Sequence, residues 1–367
     1  MTQTADVIVI GAGMAGASAA AEMTRGAKVV VLESEPHPGY HSTGRSAAIF
    51  IQSYGNAAVR QLNQASRPLL EAHPLDPEGA GVLSPRGILT LAGAEESARL
   101  DALLAENDGV TEISPEDACA MVPILRRAAI ERAAFEADAL DIDVDRLHQL
   151  YLRHLKSSGG SLVCNAGVTA LARDGAVWRA ETRAGVFEAP VVVNAAGAWA
   201  DLTAAMAGVG PLGLQPLRRS AAILPAPPGH AVEGWPLAGN AAETYYFKPE
   251  AGKLMVSPAD ETPVDPHDAW PDDMDLAEGL DRFARAVDYE VTRVERTWAG
   301  LRTFAPDRTL VIGFDPTAEG FFWLAGQGGY GIQTAPGAAR LAAGLLLDQA
   351  APAGIDPALF SPARFRS

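Results

Sequence analysis

The segment of residues 39–55, GYHSTGRSAAIFIQSYG, changes its chemical character halfway along. Its first half places hydroxyl groups, a histidine and an arginine among glycines, a composition typical of a chain that contacts phosphate or a cofactor. Its second half is apolar and closes on the phenol of Tyr54. The pattern predicts a segment that binds a cofactor at one end and meets a second molecule at the other.

A glycine loop precedes this segment and offers a phosphate site. The apolar run 6–10 ends at Gly11, and Gly11, Gly13 and Gly16 form GxGxxG at the start of a small-residue helix, 17–23. The first glycine allows a tight turn, the second lets the backbone approach a pyrophosphate, and the third lets helix and strand touch. The helix N-terminus presents free N–H groups and the positive end of its dipole to the phosphates.

An acidic residue follows the second strand of this unit. The strand predicted at 28–32 ends at Glu33, about 20 residues after the loop, where a carboxylate accepts hydrogen bonds from both ribose hydroxyls of an adenosine. A carboxylate disfavours a phosphorylated ribose. The unit therefore favours FAD or NAD over NADP.

The rest of the chain predicts an α/β protein in which strands return late to the nucleotide-binding sheet. Apolar periodicity predicts amphipathic helices at 57–71, 95–106, 144–155 and 335–347. Strands are predicted at 161–163, 176–182, 186–193, 310–312 and 321–325, with a hairpin joining 244–248 to 254–256. The first domain is therefore expected to be discontinuous in sequence.

Composition restricts the partners and the compartment. The 367 residues are 48% hydrophobic, enough for two domains, and the net charge of -16 argues against nucleic acid. Cys119 and Cys164 have no framework spacing, and no basic residue precedes the apolar segment 7–21, so we expect a cytoplasmic protein. No run reaches the roughly 18 to 20 apolar residues of a membrane span, and no His or Cys spacing predicts a metal site.

Seven stretches, taken together and in order, resemble one family. They are GAGMAG, VLESE, PGYHSTGRSA, VVNAAGAWAD, LGLQPLRRS, TWAGLR and GQGGYGIQT. The chain resembles the FAD-dependent D-amino-acid oxidase and glycine oxidase superfamily, and within it looks most like the D-arginine dehydrogenase branch.

The resemblance implies a Rossmann-like FAD-binding domain and a second, α+β domain whose mixed sheet covers the flavin ring and encloses the substrate. The ranges it implies are 1–80, 141–210 and 300–367 for the FAD-binding domain, and 81–140 and 211–299 for the substrate domain. It also implies hydride transfer from the α-carbon of an amino acid to flavin N5, after which the imino acid hydrolyses to a 2-keto acid and ammonia.

The resemblance also implies the residues that hold FAD noncovalently. They are Gly11, Gly13, Met14, Ala15, Gly16, Glu33, Ser34, Ser42, Thr43, Gly44, Arg45, Ser46, Ala47, Ala48, Val168, Ala196, Gly197, Trp199, Gly328, Gly329, Tyr330, Gly331, Ile332 and Gln333. Val168 is expected beside the adenine. A covalent flavin link at His41 is the less favoured reading.

Four side chains are implied to face the substrate as catalytic residues: Tyr54, Arg219, Tyr246 and Arg302. Guanidinium groups bind carboxylates through two parallel hydrogen bonds, which would fix the α-carbon of an amino acid over the flavin. Gly329, Tyr330 and Gly331 would lie between the flavin and the substrate carboxylate. Lys248, in the hairpin, is expected to be exposed.

Two positions depart from the D-arginine pattern. Ile49 stands where that branch has a histidine, and Ile88 stands where it has the glutamate that pairs with the guanidinium. Bringing a guanidinium into such a pocket without a counter-charge costs several kcal/mol. We therefore expect neutral, mostly apolar D-amino acids such as D-leucine, D-methionine, D-phenylalanine or D-alanine.

Two alternatives stay open at this point. The same carboxylate clamp would suit a dehydrogenase or oxidase of secondary amines such as sarcosine, D-proline or hydroxyproline. The chain could instead be a flavin-binding subunit of a larger amine dehydrogenase. The electron acceptor is unknown, with a quinone or another carrier possible.

Overall fold

The computed structural model describes residues 2–366, which contain four sheets. A six-stranded sheet has the order β10 (Ser161–Val163), β3 (Val29–Leu32), β2 (Val7–Ile10), β14 (Val191–Asn194), β22 (Phe321–Ala325) and β21 (Val311–Phe314). Its strands are parallel except β21. Strands β2 and β3 are buried along their whole length, which is why their sequences are continuous apolar runs.

The two faces of the six-stranded sheet are covered differently. Val7, Val9 and Val31 pack against helices, whereas Ile8 and Val30 pack towards a second sheet. The helices that complete the core around the first face are α1 (Met14–Met23), α2 (Ala57–Glu71), α5 (Val144–Ser157) and α8 (Ala335–Leu346). A shorter helix, α6 (Ala200–Met206), packs into the core of the other face.

The second sheet has four strands in the order β1 (Thr2–Thr4), β13 (Gly185–Ala189), β12 (Val177–Thr182) and β11 (Val168–Asp174). The single strand predicted at 186–193 is wrong: β13 belongs to this sheet, whereas β14 belongs to the six-stranded one. Pro190 separates the two strands, and a proline without an N–H cannot continue a central ladder.

The largest sheet has nine strands. They are β19 (Thr262–Pro263), β15 (Gln215–Leu224), β18 (Lys253–Ser257), β17 (Tyr246–Glu250), β16 (Leu237–Asn240), β6 (Ile88–Ala92), β8 (Arg132–Glu136) and β7 (Val110–Ile113), with β20 (Arg296–Phe304) paired to β15. The predicted hairpin is confirmed, because β17 and β18 pair antiparallel. The domain boundary predicted at residue 300 falls inside β20, and the two-domain division stays a prediction.

The nine-stranded sheet is apolar on one side and carries functional groups on the other. Phe247 and Val256 pack in a core with Phe283 of α7 (Asp273–Ala286). Because side chains alternate along a strand, Tyr246 and Lys248 lie on the opposite face. The helices α3 (Ser97–Glu106) and α4 (Pro115–Met121) complete this part of the chain.

A three-stranded sheet, β4 (Ile49–Phe50), β9 (Leu140–Ile142) and β5 (Leu83–Pro85), connects these parts. It explains why the expected exposure of Lys248 is wrong. The Lys248 side chain is buried, and its Nζ lies 3.1 Å from Asp141 Oδ1 on β9. Arg86 contacts the other oxygen of the same carboxylate, so the lysine belongs to a buried ion-pair network.

Within the described residues, no helix has the length and apolar character that crossing a membrane would require.

Candidate active site

A cavity of about 480 Å³ begins at the carboxyl ends of β2 and β3 and reaches the functional face of the nine-stranded sheet. Glu33, Ser34 and Val168 line one end, and Tyr246 and Arg302 line the other. The parallel strands place the glycine loop at the sheet edge where such folds bind nucleotides.

The glycine loop has the geometry that its sequence predicts. Gly11 has φ +101°, and a Cβ there would lie 2.5 Å from the carbonyl oxygen of Ala195. At Gly16 a Cβ would lie 2.0 Å from the carbonyl oxygen of Gly11, so helix α1 approaches the strand end as closely as a bare backbone allows. No side chain larger than hydrogen fits at either position.

Neighbouring side chains fix the N–H groups of the loop. Glu33 Oε2 accepts a hydrogen bond from the Ala12 N–H at 2.8 Å, and Thr43 Oγ1 accepts one from the Met14 N–H at 2.9 Å. His148 Nε2 lies 2.9 Å from the Ala12 carbonyl oxygen. Burial lowers the pKa of His148, which favours the neutral ring. The sequence offers no local signal for His148, because it arrives from α5.

Residues 42–47 follow the cavity wall and are tied to distant segments. The Ser42 hydroxyl donates to the Leu301 carbonyl at 2.6 Å. The Arg45 guanidinium donates to the Ala269 and Ala299 carbonyl oxygens and pairs with Asp268 at 2.5 Å. The charge of Arg45 is therefore engaged in holding loops together.

At the far end of the cavity, Tyr54, Gly329 and Arg302 come together. A Cβ at position 329 would lie 3.0 Å from the Tyr54 hydroxyl oxygen and 3.1 Å from Arg302 NH1. Among residues 2–366, no carboxylate lies within 4.0 Å of the Arg302 guanidinium, and its side chain makes no hydrogen bond. A positive charge that faces a cavity without an anionic partner is suited to bind a carboxylate.

Arg219 lines the same cavity but is already engaged. It donates to the Asp260 carbonyl oxygen at 2.8 Å and to Glu261 Oε1 at 3.2 Å. Arg219 and Arg302, both expected to face the substrate, therefore differ, because Arg219 is bonded to Asp260 and Glu261 whereas the Arg302 guanidinium has no such partner among the described residues.

Tyr246 lies beside both arginines. Burial alone would raise the pKa of Tyr246, but the positive charges of Arg302 and Arg219 hold that pKa below the ordinary tyrosine value. Its hydroxyl is therefore a strong hydrogen-bond donor towards an anion in the cavity.

Most of the predicted site residues line this one cavity. They are Gly11, Gly13, Met14, Ala15, Glu33, Ser34, Ser42, Thr43, Arg45, Ser46, Ala47, Val168, Ala196, Gly197, Trp199, Arg219, Tyr246, Arg302, Gly328, Gly329, Gly331 and Ile332. Those placed outside its lining are Gly16, Gly44, Ala48, Ile49, Tyr54, Ile88, Tyr330 and Gln333.

Tyr330 and Gln333, which lie outside the lining, have side chains that hold other parts of the chain in place. The Tyr330 hydroxyl donates to the Arg308 carbonyl, and its ring packs at the edge of Tyr54. The Gln333 amide bonds to both main-chain groups of Ile51 and to Asn63. These side chains position the loop 328–334, whose main chain stays at the cavity.

Ile49 and Ile88 lie in strands next to the cavity. Ile49 pairs with Asp141, and Ile88 pairs with Leu237 and Glu136. Ile88 directly precedes Leu89, whose side chain packs in the apolar core, so the Ile88 side chain lies on the opposite face of the sheet, which it shares with Tyr246.

Met255 and Trp298 are among the lining residues that sequence reasoning missed. The hairpin register could have identified Met255, because it pairs with Lys248 and so faces the same side as Tyr246. Trp298 sits four residues before Arg302 on β20, and period two places both on one face.

The residues present fit an FAD molecule. The glycine turns leave no room for a Cβ, a carboxylate stands at the adenosine end, and a single cavity joins that end to a cationic chamber. Fold and site together define a flavin-dependent oxidoreductase.

The comparisons with known proteins agree with this class. The sequence model of the family described as FAD dependent oxidoreductase, DAO, matches residues 6–345, and the chain belongs to this family. FAD is its cofactor.

Several relatives are similar along most of their length. The chain is 26% identical to FAD-dependent oxidoreductase domain-containing protein 1 of Mus musculus, with 94% of the chain and 82% of the relative covered. It is 25% identical to the glycine oxidase of Geobacillus kaustophilus over 94% of each chain, and the crystal structure of that enzyme superposes with a TM-score of 0.85 over 99% of each chain. The iminodiacetate oxidase of Chelativorans sp. BNC1 gives a TM-score of 0.79 at 25% identity, with 97% and 98% covered.

Proposed function

We propose that the protein is an FAD-dependent dehydrogenase of neutral, mostly apolar D-amino acids. The observation that carries the proposal is the free guanidinium of Arg302, which faces the cofactor cavity beside Tyr246 and Gly329. An amino acid bound by its carboxylate at this point would present its α-carbon to the ring-binding part of the cavity.

The residues divide the work as follows. Arg302 binds the substrate carboxylate, and the Tyr246 hydroxyl donates a further hydrogen bond to it. Arg219, held by Glu261, adds a second positive charge near the Tyr246 phenol. FAD supplies the acceptor of the hydride that leaves the α-carbon. The imino acid that results hydrolyses to a 2-keto acid and ammonium.

We infer no dedicated protein base for the substrate amine. The Tyr54 hydroxyl oxygen would lie 3.0 Å from a Cβ at position 329 and can take the amine proton, and otherwise water takes it. Activity should therefore rise with pH to a plateau at the pKa of the bound amine. Tyr54→Phe should lower turnover modestly, and complete loss of turnover would contradict this view.

The residues around Ile88 support the proposed preference for substrates whose side chains are uncharged. Ile88 offers no counter-charge, and Glu136, which pairs with Ile88 across the sheet, is buried. Burial raises the pKa of Glu136, so this carboxyl favours its neutral form and is a poor partner for a guanidinium.

A substrate panel tests the proposal directly. We expect D-leucine to reduce the flavin under anaerobic conditions and kcat/KM for D-leucine to exceed that for D-arginine by about a hundredfold, the ratio that an unpaired guanidinium predicts. A higher kcat/KM for D-arginine would reject the apolar preference. Ile88→Glu should raise activity on D-arginine relative to D-leucine, and Ile88→Gln is the control that adds polarity without charge.

The similarity to an iminodiacetate oxidase supports a second candidate, oxidation of secondary amines such as sarcosine or D-proline. The carboxylate clamp is the same in both candidates. If secondary amines reduce the flavin and primary D-amino acids do not, the second candidate replaces the first. If no amine bleaches a fully loaded protein, both candidates fail and a role as a flavin-binding subunit is favoured.

A further inference from the structure

A second cavity, the side groove, adjoins the cofactor cavity and has a volume of about 840 Å³. Five residues line both spaces: Tyr40, Arg45, Ser46, Met255 and Trp298. Arg219, Tyr246 and Arg302 line only the cofactor cavity. The side groove therefore reaches the wall of the cofactor cavity without containing the residues assigned to the substrate.

Two tryptophans give the side groove an aromatic surface. Trp270 is 71% exposed, far more than its apolar ring would favour without a partner. The Trp298 ring is held by a hydrogen bond from its Nε1 to the Arg45 carbonyl at 3.2 Å. The Arg296 guanidinium carbon lies 5.6 Å from the centre of that ring.

The charges in the side groove are balanced. Its basic and acidic lining residues are Arg45, Lys253, Arg296, Glu250, Asp268 and Glu295. Arg45 pairs with Asp268, and Lys253 pairs with Glu295. In the part of the chain that the structure describes, Arg296 has no carboxylate within 4.0 Å and no side-chain hydrogen bond. Equal numbers of each sign favour an uncharged ligand, and the free guanidinium offers it a donor.

We propose that the side groove binds the electron acceptor of the enzyme, and that this acceptor is a small neutral quinone. The volume is in the range of small-molecule sites. A quinone ring stacks on Trp270 or Trp298, and one of its carbonyl oxygens accepts a hydrogen bond from Arg296. A negative charge that develops on the quinone during reduction is stabilised by the same guanidinium.

The electrons that reduce the quinone come from FAD that the amino-acid substrate has reduced. This inference therefore rests on the proposed function for the source of its electrons. The quinone takes two electrons and one proton from the reduced cofactor and one proton from water. Its two carbonyl groups become the hydroxyls of a hydroquinone, and the oxidised cofactor is restored.

Binding can be measured without turnover. Menadione is titrated into the oxidised, FAD-loaded protein by calorimetry, and its Kd is compared with those of Trp270→Ala and Arg296→Ala. We expect Kd to rise at least tenfold in each variant. Met274→Ala and Arg293→Ala are the controls, because Met274 is also exposed, Arg293 lies three residues before Arg296, and neither residue lines the groove. Unchanged Kd values in both groove variants, or no binding to the wild type, would overturn the proposal.

The half-reactions test the role in electron transfer. The protein is reduced with one equivalent of dithionite, then mixed anaerobically with menadione while flavin absorbance is followed. Reoxidation should be at least tenfold slower in the groove variants, whereas reduction by D-leucine should match the wild type. If the variants instead slow reduction by D-leucine, the groove is a passage for substrate and the proposal is wrong. Dithionite reduces the flavin without any amino acid. The rate of reoxidation by menadione therefore tests the groove even if the proposed amino-acid substrate is wrong.

Discussion

The two ends of the cofactor cavity are built in different ways. At the end near residues 11–33 the glycine turns and the helix N-terminus come from one continuous segment, and Glu33 and Thr43 accept hydrogen bonds from the Ala12 and Met14 N–H groups. The end at Arg302 is assembled from side chains of β17 and β20 and the main chain at Gly329, with the Tyr54 hydroxyl close to Gly329. There, among the residues that the structure describes, the Arg302 guanidinium has no carboxylate within 4.0 Å and makes no hydrogen bond. The FAD-binding end therefore recognises its ligand mainly by the shape of the main chain. The Arg302 end instead keeps one positive charge available to bind an anionic ligand.

The strongest test of this difference between the two ends is to remove the positive charge of Arg302. Arg302→Leu should lower kcat/KM for D-leucine on the order of 1,000-fold, because two charge-assisted hydrogen bonds of about 1.5 to 3 kcal/mol each are lost. Steady-state kinetics measures the change, and flavin content should equal that of the wild type. A variant that loses FAD as well would show that the two ends are not independent.

The complementary test is made at the other end. Gly11→Ala should weaken FAD binding by about a hundredfold or more, because a Cβ there meets the Ala195 carbonyl oxygen at 2.5 Å in a backbone conformation that favours glycine. Titration of the apoprotein with FAD measures this loss. Gly175→Ala is the matched control, since Gly175 has φ +60° but open space around it. Equal losses in both variants would attribute the effect to backbone strain alone.

The pH dependence of carboxylate binding sharpens the comparison at the charged end. Below its pKa the Tyr246 phenol donates a hydrogen bond to the carboxylate, and above it the phenolate repels the carboxylate. Because the pKa of Tyr246 lies below the ordinary value, the Kd of isovalerate, a carboxylate without an amine, should rise with pH before about pH 10. Tyr246→Phe should weaken binding about tenfold at neutral pH and abolish the alkaline rise. An alkaline rise that persists in this variant would assign the titration to another group.

The smallest effect is expected at the arginine that already has a partner. Arg219→Gln should lower kcat/KM less than tenfold, since Glu261 and the Asp260 carbonyl already occupy its guanidinium. Steady-state kinetics of Arg219→Gln and Arg302→Gln compares the loss of kcat/KM at the two positions, because both arginines are replaced by the same residue. Equal losses would mean that Arg219 and Arg302 contribute equally to substrate binding and would contradict the distinction drawn between them.

Sequence reasoning succeeded where the determinants are local. The unit of residues 7–33 and helices α2 and α8 follow from apolar periodicity and glycine spacing within a few turns of chain. It failed where tertiary contacts decide: Lys248 is buried because Asp141 arrives from β9, and the run at 186–193 divides between two sheets at Pro190. Likewise, no sequence pattern distinguishes Arg302 from Arg219, since only the folded chain brings Glu261 to one of them.

The arrangement of the six-stranded sheet has a consequence for biosynthesis. Strands β2 and β3 are synthesised long before β22 (Phe321–Ala325), which borders β14 in the middle of the sheet, and before α8 (Ala335–Leu346), which packs against α1. The sheet and helix that carry the glycine loop therefore acquire these two neighbours only after residue 346 has been synthesised. A nascent chain halted before residue 320 should emerge without the capacity to retain flavin.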